Sequence, residues 1–333
     1  MEQIKNTSNE VVTKNYFYRF LSFHGNGGDL FKLTIVNLLL TIVTLGLYYP
    51  WSKAAKLKYL YSQTSFKNSR FNFLGTGKEM FRGFIKIYLG IVLVYAFLIY
   101  AEYSKNQTLL YIAVAIIYGA LIFLIPFAIH GALRYRMSRT SWRSIRFGYR
   151  GKAMELFKKY IIGFFLTIIT LGIYGSWFTI DLYQYLYSKM RFGDIELRYK
   201  GNGLDYFLLN LKGLLLTIVT CYIYIFWYQK EVFEYHTRNT ELIQNGRVIP
   251  LNTQVSGGDF FQLTIVNILI LMFTLGLGMP WVVCRTMEFY CANTLLEEDI
   301  DENALKQTED KYTNATGEDL LDYADLDLGL LDF

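Results

Sequence analysis

The stretch GNGGDLFKLTIVNLLLTIVTLGLYYPW, residues 25–51, decides how the chain is built. It opens on glycines and an acid, Gly25-Asn-Gly-Gly-Asp29-Leu-Phe31, and then runs as an apolar helix. The run breaks at Thr44-Leu-Gly46, just ahead of Pro50-Trp51. Glycines make a turn, and Asp29 falls where the helix starts, beside free N–H groups and the positive end of the helix dipole. Before such a turn lies a short extended segment, as in Ser69-Arg-Phe-Asn-Phe73, whose large and polar residues alternate with a β period. Beyond Trp51 comes an amphipathic, Tyr-rich segment with Lys53, Lys56 and Lys58, the Trp and Tyr marking a headgroup boundary.

Every part of this unit recurs. The glycine motif returns as Gly75-Thr-Gly-Lys-Glu79-Met-Phe81, Gly151-Lys-Ala-Met-Glu155-Leu-Phe157 and Gly201-Asn-Gly-Leu-Asp205-Tyr-Phe207. A fifth copy, Gly257-Gly-Asp259-Phe-Phe261, lacks the first glycine. The spacings are 50, 76, 50 and 54 residues, a period that signals structural repeats. Thr44-Leu-Gly46 returns as Thr170-Leu-Gly172, Thr274-Leu-Gly276 and, more loosely, Thr220-Cys-Tyr222. This predicts units near 23–72, 73–148, 149–198, 199–254 and 255–295, between a polar segment (1–22) and an acidic, disordered tail (296–333). The second unit is longer by 26 residues, and its end matches the first at an offset of 76, Lys58-Tyr59 against Arg134-Tyr135.

Composition sets the solvent. Hydrophobic residues make up 53% and charged residues 18%, against about 25% charged in an ordinary soluble chain. Uncharged runs cover Leu33–Ser52, Ile87–Ala101, Gln107–Ile129, Tyr160–Ile180, Gly213–Gln229 and Phe260–Cys284. A helix crossing the hydrocarbon needs about 20 apolar residues, so soluble globular, fibrous, disordered and disulfide-framework classes are excluded. The expected fold is mainly α: a polytopic membrane protein of about six hydrophobic helices built from five repeats, each preceded by a short β segment and a Gly-rich turn. The other arrangement makes the single runs re-entrant, breaking at Thr-Leu-Gly. All units then face one way, with Lys105 alone on the far side.

Charge is split. The net +5 combines +16 over residues 1–295 with −11 over 296–333. Basic residues scattered among apolar runs suit an anionic lipid surface and not a nucleic acid. The tail reads as a solvated segment or as a docking peptide for the protein's own basic loops, anchored by its leucines. Cys221, Cys284 and Cys291 form no C-x-x-C pair, and the first 28 residues show no cleaved signal peptide.

The succession Gly-x-Gly-x-Asp-x-Phe, Thr-Leu-Gly-Leu-Tyr-Tyr-Pro-Trp and Lys-x-Lys-Tyr, repeated per unit over about residues 16–295, resembles the YjgN-like family of bacterial inner-membrane proteins. The resemblance implies a multi-pass protein of the bacterial inner membrane and no particular activity, because that family is a domain of unknown function. The fourth unit departs from the pattern, with Cys221-Tyr222 for Leu-Gly and Phe226 for Pro, and the acidic tail falls outside it.

Two residue sets are candidate sites. The carboxylates Asp29, Glu79, Glu155, Asp205 and Asp259 are expected as helix caps, or more sharply as a cation-collecting ring. Thr44, Thr170, Thr220 and Thr274, with Gly46, Gly172 and Gly276, are expected as close-packing positions, or as a broken-helix solute path with Asn37 and Asn267 as polar partners. His24, His130 and His236 occupy non-matching places, so no metal site is expected, and no catalytic motif or cofactor loop is present. The chain is expected not to be an enzyme. Two functions remain: a small-solute or ion transporter with its path at the unit interfaces, or a scaffold binding anionic lipid or a protein partner. Homo-oligomerisation is left open.

Overall fold

A computed structural model describes residues 17–308. The expectations for residues 1–16 and for the tail beyond 308 lie outside the described residues. The first unit sets the pattern. Strands β1 (Tyr18–Arg19) and β2 (Leu21–Phe23) lead into helix α1 (Gly27–Val43). The chain reverses and returns as α2 (Tyr49–Gln63) to β3 (Thr64–Phe66). The same strand–helix–helix–strand succession follows four more times. It comprises β4 (Ser69–Phe73), α3 (Gly77–Tyr103), α4 (Gln107–Arg139) and β5 (Thr140–Trp142), then β6 (Ile145–Tyr149), α5 (Ala153–Ile169), α6 (Gly175–Ser188) and β7 (Met190–Phe192). Next come β8 (Ile195–Tyr199), α7 (Gly203–Val219), α8 (Ile225–Arg238) and β9 (Thr240–Gln244), and last β10 (Arg247–Asn252), α9 (Gly257–Phe273), α10 (Met279–Asn293) and β11 (Leu295–Leu296).

The strands form one 11-stranded sheet in the order β1-β11-β10-β9-β8-β7-β6-β5-β4-β3-β2. Its two ends, β1 and β2, are separated only by Phe20, so the sheet curls into a near-closed barrel. Tyr18 opposes Leu296 on one side and Leu21 opposes Phe66 on the other. Neighbouring strands are antiparallel. Antiparallel pairing puts successive connections at opposite ends, so the five helical hairpins leave one end of the barrel and the tight turns close the other. At the turns Lys67-Asn68, Arg143-Ser144 and Asn245-Gly246 take left-handed φ (43° and 65°, 43° and 71°, 50° and 80°), the geometry that matches strand twist in two-residue hairpins.

The barrel interior is apolar and largely aromatic. Phe20, Phe66, Phe71, Trp142, Phe192, Ile195, Ile249 and Leu296 form one buried cluster. Phe66 meets Trp142 at 5.1 Å and Phe192 at 5.5 Å, edge to face, a favoured geometry for ring pairs. Above the barrel the helices form a ring in which each packs on its chain neighbours, α2 on α3, α4 on α5, α6 on α7, α8 on α9, and α10 back on α1.

This corrects the expected fold. Instead of about six membrane helices, the described residues hold ten helices standing on a near-closed β-barrel, and two of them, α3 and α4, are long and apolar enough to cross a membrane. The single uncharged runs were long enough to span only on the assumption that each is one straight helix. Each divides instead between two antiparallel arms. Leu33–Ser52 ends α1, turns, and begins α2. The short β segments, expected ahead of each Gly-rich turn, pair with one another and supply the organising sheet.

Candidate functional site

The hairpin tips are built alike. Leu45, Leu171 and Leu275 have φ of 51° to 52°, and Gly46, Gly172 and Gly276 follow at 89° to 93°. Two left-handed residues in succession reverse the chain, and glycine takes the second without a Cβ penalty. The threonine before them joins the arms. Thr44 Oγ1 donates to the Leu40 carbonyl at 2.8 Å and accepts from Tyr48 N–H at 3.0 Å. Thr170, Thr220 and Thr274 repeat both bonds at 2.6–2.9 Å. One hydroxyl thus ties a carbonyl of the outgoing helix, which also accepts the threonine's own N–H, to a free N–H of the returning one. In the fourth unit Cys221 and Tyr222 hold this turn at φ 48° and 69°, without glycine. Leu45, Leu171 and Leu275 are 80–95% exposed.

At the barrel end, glycines make room for rings. A Cβ on Gly27, Gly77, Gly203 or Gly257 would lie closer than 3.0 Å to Trp281, Trp51, Trp177 or Trp227 respectively. Each Trp comes from the preceding unit, and Trp281 of the fifth unit covers Gly27 of the first. The rings also pack on the motif phenylalanines at 5.0–5.3 Å, Trp177 stacked on Phe207, Trp281 and Trp51 tilted against Phe31 and Phe81. The second unit has Phe127 at the Trp position, stacked on Phe157 at 5.1 Å. The glycine it would cover is Ala153. The first motif glycines, Gly25, Gly75, Gly151 and Gly201, likewise lie under Phe23, Phe73, Tyr149 and Tyr199. The fifth unit has Thr253 in place of that ring and Val255 in place of that glycine.

The five carboxylates all sit in the first helical turn. Glu79 and Asp259 complete capping boxes with Thr76 and Ser256. Hydrogen bonds from Ser256 hold the Asp259 carboxyl below its usual range. Glu79 also meets Arg139 at 3.2 Å, and Asp29 meets Lys32 at 3.7 Å. Sequence reasoning missed the tyrosines that pin these helix starts. Tyr59, Tyr185 and Tyr235 hydroxyls bond both N–H and carbonyl of Asn26, Lys152 and Asn202 at 2.7–3.0 Å, and Tyr135 bonds Glu79 at 3.2 Å. The fourfold return of a Tyr at these places was the signal that could have found them. Asn37 is buried and donates to the Leu33 carbonyl of its own helix, whereas Asn267 bonds Thr286 and Arg285 of α10. At the matching place the third and fourth units carry Gly163 and Gly213, which make room for Phe178 and Tyr228. The structure therefore distributes the threonines over separate tips and does not gather them around one centre.

Three further groups carry polar chemistry. In α7–α8, Lys212 pairs with Glu231 at 2.6 Å, and Tyr224 donates to the same carboxylate at 2.9 Å. At the barrel end of α8, His236 Nδ1 lies 2.8 Å from the Tyr199 hydroxyl and stacks on Tyr183 at 4.6 Å. Burial lowers its pKa to about 4. On the sheet, burial alone would raise the Glu241 carboxyl, but hydrogen bonds from Lys200 and Arg198 outweigh it and hold the group below its usual range. Among the described residues no three of His, Cys, Asp and Glu converge as metal ligands.

The acidic segment after β11 closes the turn end of the barrel. Ile300 and Leu305 insert into the aromatic cluster. Asp299 pairs with Lys67 at 2.7 Å, Glu302 with Arg143 at 2.5 Å and Glu298 with Arg247 at 2.6 Å. Gln244 bonds the Asp301 backbone at 2.8 and 3.1 Å, and Asp194 accepts from Lys306 N–H at 3.1 Å. The segment therefore touches all four tight turns.

A family model described as "Bacterial protein of unknown function (DUF898)" matches residues 18–200 and 245–323. The chain belongs to this family. The match extends through the acidic segment, which had been expected to lie outside the resemblance, and it passes over residues 201–244, the unit whose tip departs from the repeat. Among relatives, "Inner membrane protein YjgN" of Salmonella typhimurium is 25% identical over 52% of the chain and 45% of its own length. The protein of that name from Escherichia coli O157:H7 is 33% identical over 38% of the chain and 30% of its own length. The chain thus spans less than half the length of these curated relatives. No solved structure matches it.

Proposed function

We propose that the chain is a multi-pass protein of the bacterial inner membrane that serves as a lipid-embedded scaffold and not as a conduit. The relatives' names place them in that membrane. The exposed apolar tips suit hydrocarbon and not water, since Leu45, Leu171 and Leu275 lie bare while their backbone N–H groups donate to the Ile42, Ile168 and Met272 carbonyls. At 1.5 Å per residue, α3 and α4 (27 and 33 residues) reach about 40 and 50 Å, enough for two crossings. The 17-residue arms α1, α5, α7 and α9 reach about 26 Å, part of it at the polar base, so they end inside the bilayer. Lys105, between α3 and α4, is the one Lys or Arg at the far tips among the described residues, so the barrel lies on the cytoplasmic side.

One observation carries the preference for a scaffold. All five hairpins return to the same side, over a barrel whose axis is filled by aromatic rings and closed by the acidic segment. The test uses single cysteines at Ser62, Ser104, Ser188 and Asn245 in a chain freed of its three native ones. An impermeant maleimide applied to intact cells should label Ser104→Cys alone. Labelling of Ser188→Cys as well would overturn the hairpin topology. The Lys212–Glu231 pair within α7–α8 is the feature that most favours transport. Ion flux in proteoliposomes that disappears on Glu231→Gln would establish that function instead.

A further inference from the structure

The cleft between α5 and α6 holds charge that the fold leaves unused. Lys158, Lys159 and Lys189 line an open groove of about 520 Å3 with Glu155, Asp181 and Tyr185. Both carboxylates are engaged. Glu155 meets Lys152 and the Tyr185 hydroxyl, each at 3.4 Å, and Asp181 shares a hydrogen bond with Tyr174. Lys159 and Lys189 stand 6.0 and 5.7 Å from the Tyr185 ring centre. Among the described residues none of the three lysines has a carboxylate partner. Other units do not reproduce the set. The first has Lys32, Leu33 and Gln63 at these places, the second Arg82, Gly83 and Arg139, and the fourth Leu208, Leu209 and Asn239.

Position and surroundings point to the ligand. Lys158 and Lys159 directly precede the uncharged run that begins at Tyr160, so they stand where the bilayer interface begins. From Lys158 an exposed stripe continues along α5 through Ile162, Phe165 and Ile169, at spacings of four, three and four residues that keep one helix face. We propose that this groove binds the phosphate of an anionic glycerophospholipid, with an acyl chain laid along that stripe. The three ammonium groups act as point charges on a phosphodiester, and the Tyr185 ring faces those of Lys159 and Lys189. The inference rests on the hairpins being immersed in lipid.

Its test separates the two ideas. The protein would be reconstituted in vesicles of equal phosphatidylglycerol and phosphatidylcholine, extracted in detergent, and its retained lipid measured by mass spectrometry. Wild type should retain phosphatidylglycerol preferentially. K158Q/K159Q/K189Q should lose between about tenfold and about a hundredfold of that preference, since each lysine at an anionic surface contributes up to about fivefold and the three contributions multiply. The all-arginine variant and K212Q should keep it. Flotation with pure phosphatidylcholine vesicles reports immersion by itself, and failure to float would overturn the hairpin reading. A glutamine variant that floats normally with its lipid preference intact would overturn the site. Displacement of the lipid by inorganic phosphate at matched ionic strength would overturn the lipid assignment in favour of free phosphate.

Discussion

His236 shows how far one side chain's chemistry departs from what its letter suggests. In sequence it is one of three histidines at non-matching places, with no metal site expected. In the structure Tyr183, Tyr199 and Tyr206 enclose it, and burial takes its pKa from 6.5 to about 4. Tyr235 also meets it edge to face, and Tyr199 supplies a hydroxyl. The unfolded chain takes up a proton below pH 6.5, while the folded chain refuses it until about pH 4. Stability contributed by the neutral ring is therefore full above pH 6.5 and falls as pH drops towards 4. The expected loss is about 2 kcal/mol, less than the full linkage value because the ring is only partly removed from solvent. Melting in detergent between pH 7 and 4 measures it, and His236→Phe should flatten that portion of the curve. A curve of unchanged slope in the variant would refute the assignment. The glycines were legible as a motif, but the rings they accommodate were not, because Phe23 over Gly25 is a contact made by folding two residues back, and Trp281 over Gly27 crosses nearly the whole chain.

Elements couple through those ring-on-glycine contacts. Gly203→Ala would drive a methyl into Trp177 and should cost about 1–3 kcal/mol, the usual range for overpacking. Combining it with Trp177→Phe should recover part of the loss, because the second and third units already pair Phe127 with Ala153 at the equivalent place. A double-mutant cycle in chemical denaturation should show coupling of about 0.5–3 kcal/mol, and additivity would dissolve the lock. The sequence displayed both halves of each lock and the Thr-Leu-Gly break, along with the β alternation. It left undecided whether a 20-residue apolar run is one helix or two arms. Length favours a span, and only the left-handed φ at Leu45 and Gly46 decides for a hairpin. The 26 extra residues of the second unit were legible too, and they lengthen both arms so that Pro126, counterpart of Pro50, falls inside α4.

For the molecule as a whole, the acidic segment matters more for its two apolar residues than for its charges. Lys67–Asp299, Arg143–Glu302 and Arg247–Glu298 are partly exposed pairs, each worth about 0–1 kcal/mol. Ile300 and Leu305 are buried in the barrel, worth about 1.5–3 kcal/mol apiece. E298Q/D299N/E302Q should therefore shift the denaturation midpoint little, whereas Ile300→Asp should destabilise by about 3 kcal/mol or more. Equal effects would reverse that ranking. The charge split that makes this closure workable, and the protein's own basic loops as one reading of its partner, could be read from the sequence, whereas the particular pairs could not, since four turns from four units meet one segment. The pairing of Tyr18 with Leu296 has a further consequence, for biogenesis. A ribosome adds about 5–20 residues per second, so the first strand waits tens of seconds for the last. Throughout that interval a nascent chain carries an open sheet edge, able to recruit any passing strand. Assembly of this ring is thus a race between its own completion and mispairing with a neighbour on the same polysome.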